Sequence, residues 1–200
     1  MSARVLQFGM LIGALASMVA LANLVAAAPP KFRVTSPDLP AGKPISEQYT
    51  ANEFGCHGGN QSPALQWSGT PAGTKSLAVT MFDPYKPPAS GWWHWIVYDL
   101  PAATTGLPPR AGSVGGAGLP TGAKQGVPDG DAPQPHYYGP CPDIGDPPHH
   151  YVITIYALSV AHVDVPATAT AADVDYVIAG KAIGKASITR SYQRPSADGK

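Results

Sequence analysis

Three polar residues stand at the ends of apolar, strand-like runs, where a side chain can be fixed by the sheet and still reach a cleft. Asp83 closes the run Ser76 to Phe82 and precedes Pro84; His94 sits between Trp93 and Trp95; His149 heads the run Tyr151 to Leu158. A carboxylate with two imidazoles supports several chemistries. The imidazoles can each donate an N–H to an anion, more strongly when protonated. The same trio could form a two-histidine, one-carboxylate metal site, or the acid and base of a phosphoester or acyl hydrolase. Each residue also has a plainer role: Asp83 as the cap of an Asp-Pro turn, His94 as a hydrogen-bonded core histidine, His149 as a loop residue. Neither a Gly-x-Ser-x-Gly elbow, a His-Glu-x-x-His pair nor a P-loop occurs in the chain, which weighs against the enzyme reading.

The elements that must hold these residues are short. Phe32 to Thr35, Ser76 to Phe82, His94 to Tyr98 and Tyr151 to Leu158 are rich in β-branched and aromatic residues and are bounded by turn formers. The last three are nearly continuous in apolar character, as central strands covered on both faces should be. Thr170-Ala171-Ala172-Asp173 has capping-box spacing, and Val174, Val177 and Ile178 follow at helical intervals. Gly180 and Gly184 are expected to interrupt that helix. Ala186 to Tyr192 alternates as a final strand. Residues 106–148 lack periodicity, and so long a segment inside a compact domain is expected to be ordered by packing on the sheet, with Gly112 to Gly122 its most mobile part.

Composition narrows the class. The 200 residues include 22 glycines and 23 prolines, nearly twice the ~12% of average usage, while only 13% are charged against a usual ~25%. That excludes a helix bundle or coiled coil. Disorder is excluded by 44% hydrophobic residues with four Trp and nine Tyr, enough for a core. Thirteen basic residues balance thirteen acidic ones, so a nucleic-acid partner is not expected and anion binding would rest on a few local donors.

Arg4, the apolar stretch Phe8 to Leu24 and the small residues Val25-Ala26-Ala27 read as a secretory signal peptide, residues 1–27, removed to leave one domain over 28–200. The stretch is nearly long enough for a retained anchor, but its alanine-rich end favours processing. The expected product is exported, periplasmic or secreted. Cys56 and Cys141 lie outside any C-x-x-C spacing, and in an oxidising compartment a disulfide is the first expectation, ahead of a metal pair or free thiols.

Several motifs occur in one order: the early segment Cys56-His57-Gly58-Gly59-Asn60-Gln61-Ser62-Pro63 with Trp67; Asp83-Pro84-Tyr85-Lys86-Pro87; Trp92-Trp93-His94-Trp95; Tyr138-Gly139-Pro140-Cys141-Pro142; and His149-His150-Tyr151. Together they resemble the phosphatidylethanolamine-binding protein family, in its bacterial Raf-kinase-inhibitor-like branch. The resemblance implies a mainly β fold: a central sheet stacked on a smaller one, a few peripheral helices and a small anion-binding cavity near one end. It implies a ligand-binding set of Asp83, Trp92, His94, Pro140, His149 and Tyr151, with no catalytic residue, metal or cofactor. The implied ligand is a small anionic or phosphorylated group. Binding should strengthen as pH falls through the histidine range. A bridge from Cys56 to Cys141 would staple the Gly-Pro-Cys-Pro loop at the cavity. Family members are linked to lipid headgroups, kinases and proteases, so modulation of a partner protein, a homodimer and peripheral membrane contact stay open. Two departures bear on the rim: Tyr85 replaces the second Asp of the family's Asp-Pro-Asp motif, and His150 replaces the Arg of its His-Arg-Tyr motif. An envelope interaction protein using residues 106–135 as its surface is a third alternative.

Overall fold

A computed structural model describes residues 30–85, 91–130, 134–166 and 168–195; the proposed signal segment lies outside them. Among the described residues, eight strands and one α-helix follow in the order β1 (Arg33–Thr35), β2 (Leu65–Ser68), β3 (Ser76–Asp83), β4 (Trp92–Pro101), β5 (Gly106–Leu107), β6 (Lys124–Gln125), β7 (His149–Leu158), α1 (Ala171–Lys181) and β8 (Ala182–Tyr192), with a 3-10 turn at Glu47–Tyr49. β1, β2 and β5 form a three-stranded sheet, and the other strands form a five-stranded one in the order β6-β4-β3-β7-β8. All pairings are antiparallel.

Alternation along β3 explains why the large sheet is covered on both sides. Leu77, Val79 and Met81 face a core shared with Val34, Leu65 and Trp67 of the small sheet. Ala78 faces the other way, into a second core with Ile96, Leu158 and the helix residues Ala171, Val174 and Ile178. Period-two geometry thus sends one strand's apolar residues to two cores, which is why the run reads as continuously hydrophobic.

The helix begins as its spacing predicts. The Thr170 side chain accepts from the Asp173 N–H, and the Asp173 carboxylate accepts from the Thr170 N–H. It does not break at Gly180, which lies inside α1; the chain turns directly into β8 after Lys181, and Gly184 belongs to that strand. Burial of Val174 and Ile178 against the sheet outweighs the ~1 kcal/mol cost of one helical glycine. β2, β5 and β6 do not announce themselves in the sequence, because strands of two to four residues carry too little periodicity.

The long segment between β5 and β7 is held by the sheet it crosses. Gly126 N–H donates to the Ile96 carbonyl, Asp129 N–H to Trp93 and Tyr138 N–H to His94, so Gly126, Asp129 and Tyr138 are tied to the edge of β4. Tyr137 packs edge-on to Trp95 at 5.7 Å between ring centroids.

Candidate functional site

Antiparallel order alone collects the chemistry-bearing residues. β3 ends at Asp83 beside the start of β4 at Trp92 and the start of β7 at His149, so all three strands open at one end of the large sheet. On β3 and β7, Asp83, His149 and Tyr151 share the parity of Met81, Ile153 and Ile155, and therefore the face of the main core.

His94 breaks that parity. Trp95 and Val97 belong to the main core and Ile96 to the other, so strict alternation would place His94 with Ile96. The register shifts between the Met81↔Trp95 and Phe82↔Trp93 pairs, leaving His94 as the extra residue of a β-bulge. The bulge turns His94 and Trp92 to the cavity side while Trp93 packs on the second core.

The result is a cavity of about 190 Å³. Asp83, Trp92, His94, His149 and Tyr151 line it. Pro140 does not: it is buried behind the wall, its carbonyl accepting from the Ala51 N–H at 3.0 Å. Phe54, Tyr138, the Cys141–Pro142 step and Asp143 complete the lining. Four of these follow from one covalent fact. A disulfide joins Cys56 to Cys141 across 85 positions, and it brings Phe54, two residues before the first cysteine, to the same place as Pro142 and Asp143, just after the second. Taking the bridge as given, the sequence contained that signal.

The early motif is scaffold. Gly139 N–H donates to the Asn60 side-chain oxygen at 2.8 Å, and Gly112 N–H to the Ser62 hydroxyl at 2.8 Å. A Cβ on Gly139 would lie 2.5 Å from backbone atoms of Tyr49 and Thr50, so only glycine lets the cavity loop seat against that segment.

Asp83 is both a turn cap and a site residue. One carboxylate oxygen accepts from the Tyr85 N–H at 2.9 Å, closing the Asp-Pro turn, and the other accepts from His149 Nδ1 at 2.6 Å. The opposite nitrogen of His149, Nε2, lies 3.2 Å from an Asp146 carboxylate oxygen. Each ring nitrogen thus faces a carboxylate oxygen, and whichever nitrogen carries the hydrogen donates it. Tyr85, at the first departure from the family motif, covers this imidazole at 4.3 Å between ring centroids.

His94 is different. Its Nδ1 lies 2.7 Å from the Tyr138 carbonyl oxygen, which can only accept, so Nδ1 carries the hydrogen. Burial pulls the pKa of His94 down to about 4, against the opposing pull of the Tyr138 carbonyl and the Asp83 charge. At neutral pH the ring is uncharged and Nε2 offers a lone pair. Burial likewise pushes Tyr138 up to about 12 and raises Tyr151, so both hydroxyls stay protonated. The expectation that both imidazoles donate to an anion meets this geometry: a carboxylate oxygen already stands at each ring nitrogen of His149, and His94 Nδ1 donates to a carbonyl.

A small, mostly apolar cavity at the end of two stacked sheets, with a few fixed polar groups, is the architecture of a small-ligand-binding β protein. The chain belongs to the phosphatidylethanolamine-binding protein family, whose sequence model matches residues 35–193. It is 44% identical over 162 residues to the UPF0098 protein YbcL of Escherichia coli K12, covering 81% of this chain and 87% of that one. YbhB of the same organism is 38% identical over 161 residues, 80% of this chain and 99% of YbhB. The crystal structure of Escherichia coli YbcL, described as a new member of the mammalian PEBP family, is similar at a TM-score of 0.77, covering 82% of this chain and 99% of that one. A Mycobacterium tuberculosis relative, 36% identical over 162 residues (80% of this chain, 71% of the relative), bears the name "Putative lipoprotein LppC". Among the described residues, no helix is long and apolar enough to cross a membrane.

Proposed function

We propose that this is an exported, non-enzymatic binding protein whose cavity takes the phosphorylated headgroup of a small molecule or lipid. The observation that carries this reading is the convergence of Asp83, His94 and His149 on one cavity walled by Trp92, Tyr138 and Tyr151. Its volume is below the ~300–1,000 Å³ of sites for drug-sized ligands, which suits a headgroup rather than a whole lipid. The charges favour a ligand that is not a bare dianion. Asp83 is buried at the site, Asp143 lines it and Asp146 stands beside it, against one imidazole that bonds to carboxylates. A singly protonated phosphoryl group could donate its P–OH to His94 Nε2, and an ammonium on the same ligand would be met by Asp143 and the ring of Phe54.

The hydrolase alternative keeps the Asp83–His149 pair as an acid–base element but lacks its partner groups. Among the described residues, no serine, threonine or free cysteine lines the cavity and no three His, Cys, Asp or Glu side chains are grouped to hold a metal ion. Export is supported by the signal-like residues 1–27, by the disulfide and by a relative named as a lipoprotein.

Titration of the protein with phosphorylethanolamine, followed by NMR of the Trp92 indole and the histidine rings, tests the reading. Saturable shifts confined to cavity residues are expected. Shifts elsewhere only, or release of inorganic phosphate from the probe, would overturn it.

A further inference from the structure

The loop after the disulfide carries a second contact to the site whose consequence lies in ligand selection. Asp143-Ile144-Gly145-Asp146 is a tight turn closed by the Asp146 N–H on the Asp143 carbonyl at 3.2 Å, with Gly145 at φ 96°. It presents two carboxylates differently: Asp143 lines the cavity, whereas Asp146 lies outside the lining and holds His149 Nε2. The His149 side chain is only 4% exposed and the Asp146 side chain 35%. The imidazole is thus fixed at Nδ1 by buried Asp83, while its Nε2 faces a carboxylate that is one-third exposed to solvent.

We propose that Asp146 is a specificity-determining residue: its carboxylate occupies the imidazole nitrogen, His149 Nε2, that a phosphoryl group would need, and a ligand must displace it. This rests on the binding function proposed above. A carboxylate oxygen and a phosphoryl oxygen are equivalent acceptors for an imidazole N–H, and the Asp146 side chain, 35% exposed beside the buried imidazole, keeps the solvent access that exchange needs. The competition is selective by charge. A ligand with an ammonium gains from the carboxylates on the 143–146 turn, but a simple anion must both displace Asp146 and tolerate it nearby. The Asp146 main chain is anchored separately, its carbonyl accepting from the Gln193 side chain at 2.9 Å, so the side chain can swing without the turn moving.

The test compares native protein with Asp146→Asn, Asp146→Ala and Asp143→Asn, using sulfate, an anion without ammonium that does not titrate near neutrality, and phosphorylethanolamine as a second probe. Both Asp146 variants should bind sulfate about three- to tenfold more tightly than native protein, through loss of the competing carboxylate together with relief of its repulsion. Asp143→Asn removes the same charge without freeing the imidazole, and its gain should be smaller. Unchanged or weaker sulfate binding in the Asp146 variants, or an equal gain in Asp143→Asn, overturns the proposal. Binding of phosphorylethanolamine by native protein separates the two failures: if it persists, Asp146 alone is misassigned; if no variant binds either probe, the site reading falls as well.

Discussion

His94 Nδ1 and the Tyr138 carbonyl oxygen lie 2.7 Å apart, and this one bond fixes the tautomer of the site's buried imidazole while tying the long crossing segment to the large sheet. The same pair of residues bonds in the reverse sense through the main chain, Tyr138 N–H donating to the His94 carbonyl at 2.8 Å. A bulged strand and an irregular loop are locked together at two points. The histidine is held neutral because protonating it would place a charge where burial strips its solvation.

Acid should therefore loosen the fold through His94. In the unfolded chain this histidine takes up a proton near its ordinary 6.5, whereas in the folded protein it resists until about 4. The unfolded state binds more protons between those values, so stability is full above pH 6.5 and falls as pH drops toward 4, by about 3 kcal/mol from this group. Urea denaturation at pH 7, 5.5 and 4.5 should show the decline, and His94→Gln, whose amide can still donate to the Tyr138 carbonyl, should show a shallower one. Equal slopes in the two proteins would remove His94 as the cause.

Anion binding follows the same proton. Because the free protein keeps His94 neutral from pH 8 to 5.5, the increase in affinity that unshifted histidines would give in that range moves to lower pH. Sulfate affinity should rise as pH falls from 6 toward 4, the bound anion favouring the imidazolium. The informative quantity is the difference between native protein and His94→Gln by titration calorimetry, which isolates the contribution of this ring. Parallel profiles would show that the ring does not touch the anion.

The strands that carry Asp83 and His149 were legible because long apolar runs ending in a polar residue mark where a sheet stops, and antiparallel pairing then fixes which ends meet. His94 was legible as a residue but not as a direction: alternation along Trp93-His94-Trp95 points it into the wrong core, and only the register shift against β3 shows otherwise. Pro140 was placed at the cavity by its motif, yet its chain neighbours Tyr138 and Cys141 line the space while Pro140 packs against Ala51. Asp146 carries no sequence signal, since an aspartate after a glycine in a turn has an ordinary local explanation.

Reducing the disulfide should cost stability and cavity order together. Closing an 85-residue separation stabilises a fold by roughly 3–5 kcal/mol in the chain-entropy model. The bridge also joins the segments that bring Phe54 and Asp143 to the cavity lining. Cys56→Ser with Cys141→Ser should lower the melting temperature in calorimetry and weaken phosphorylethanolamine binding. Loss of stability with unchanged affinity would mean that the β-strand residues hold the ligand unaided.

Tyr138 should behave against intuition. Its ring packs with Ala51 and Cys56 beside the bridge, but its hydroxyl is buried with no hydrogen-bond partner among the described residues. Removing a buried hydroxyl that bonds to nothing relieves a desolvation cost of about 1–3 kcal/mol and takes away no contact. Tyr138→Phe should therefore leave stability unchanged or raise it, by up to that amount, with the His94 tautomer intact because that bond uses the main-chain carbonyl. Tyr138→Ala is the opposite case, since it deletes an aromatic ring from a packed cluster and should destabilise by about 3–5 kcal/mol. Denaturation midpoints of the two variants separate ring from hydroxyl. A loss in Tyr138→Phe comparable to that in Tyr138→Ala would show that the hydroxyl has a partner in solution.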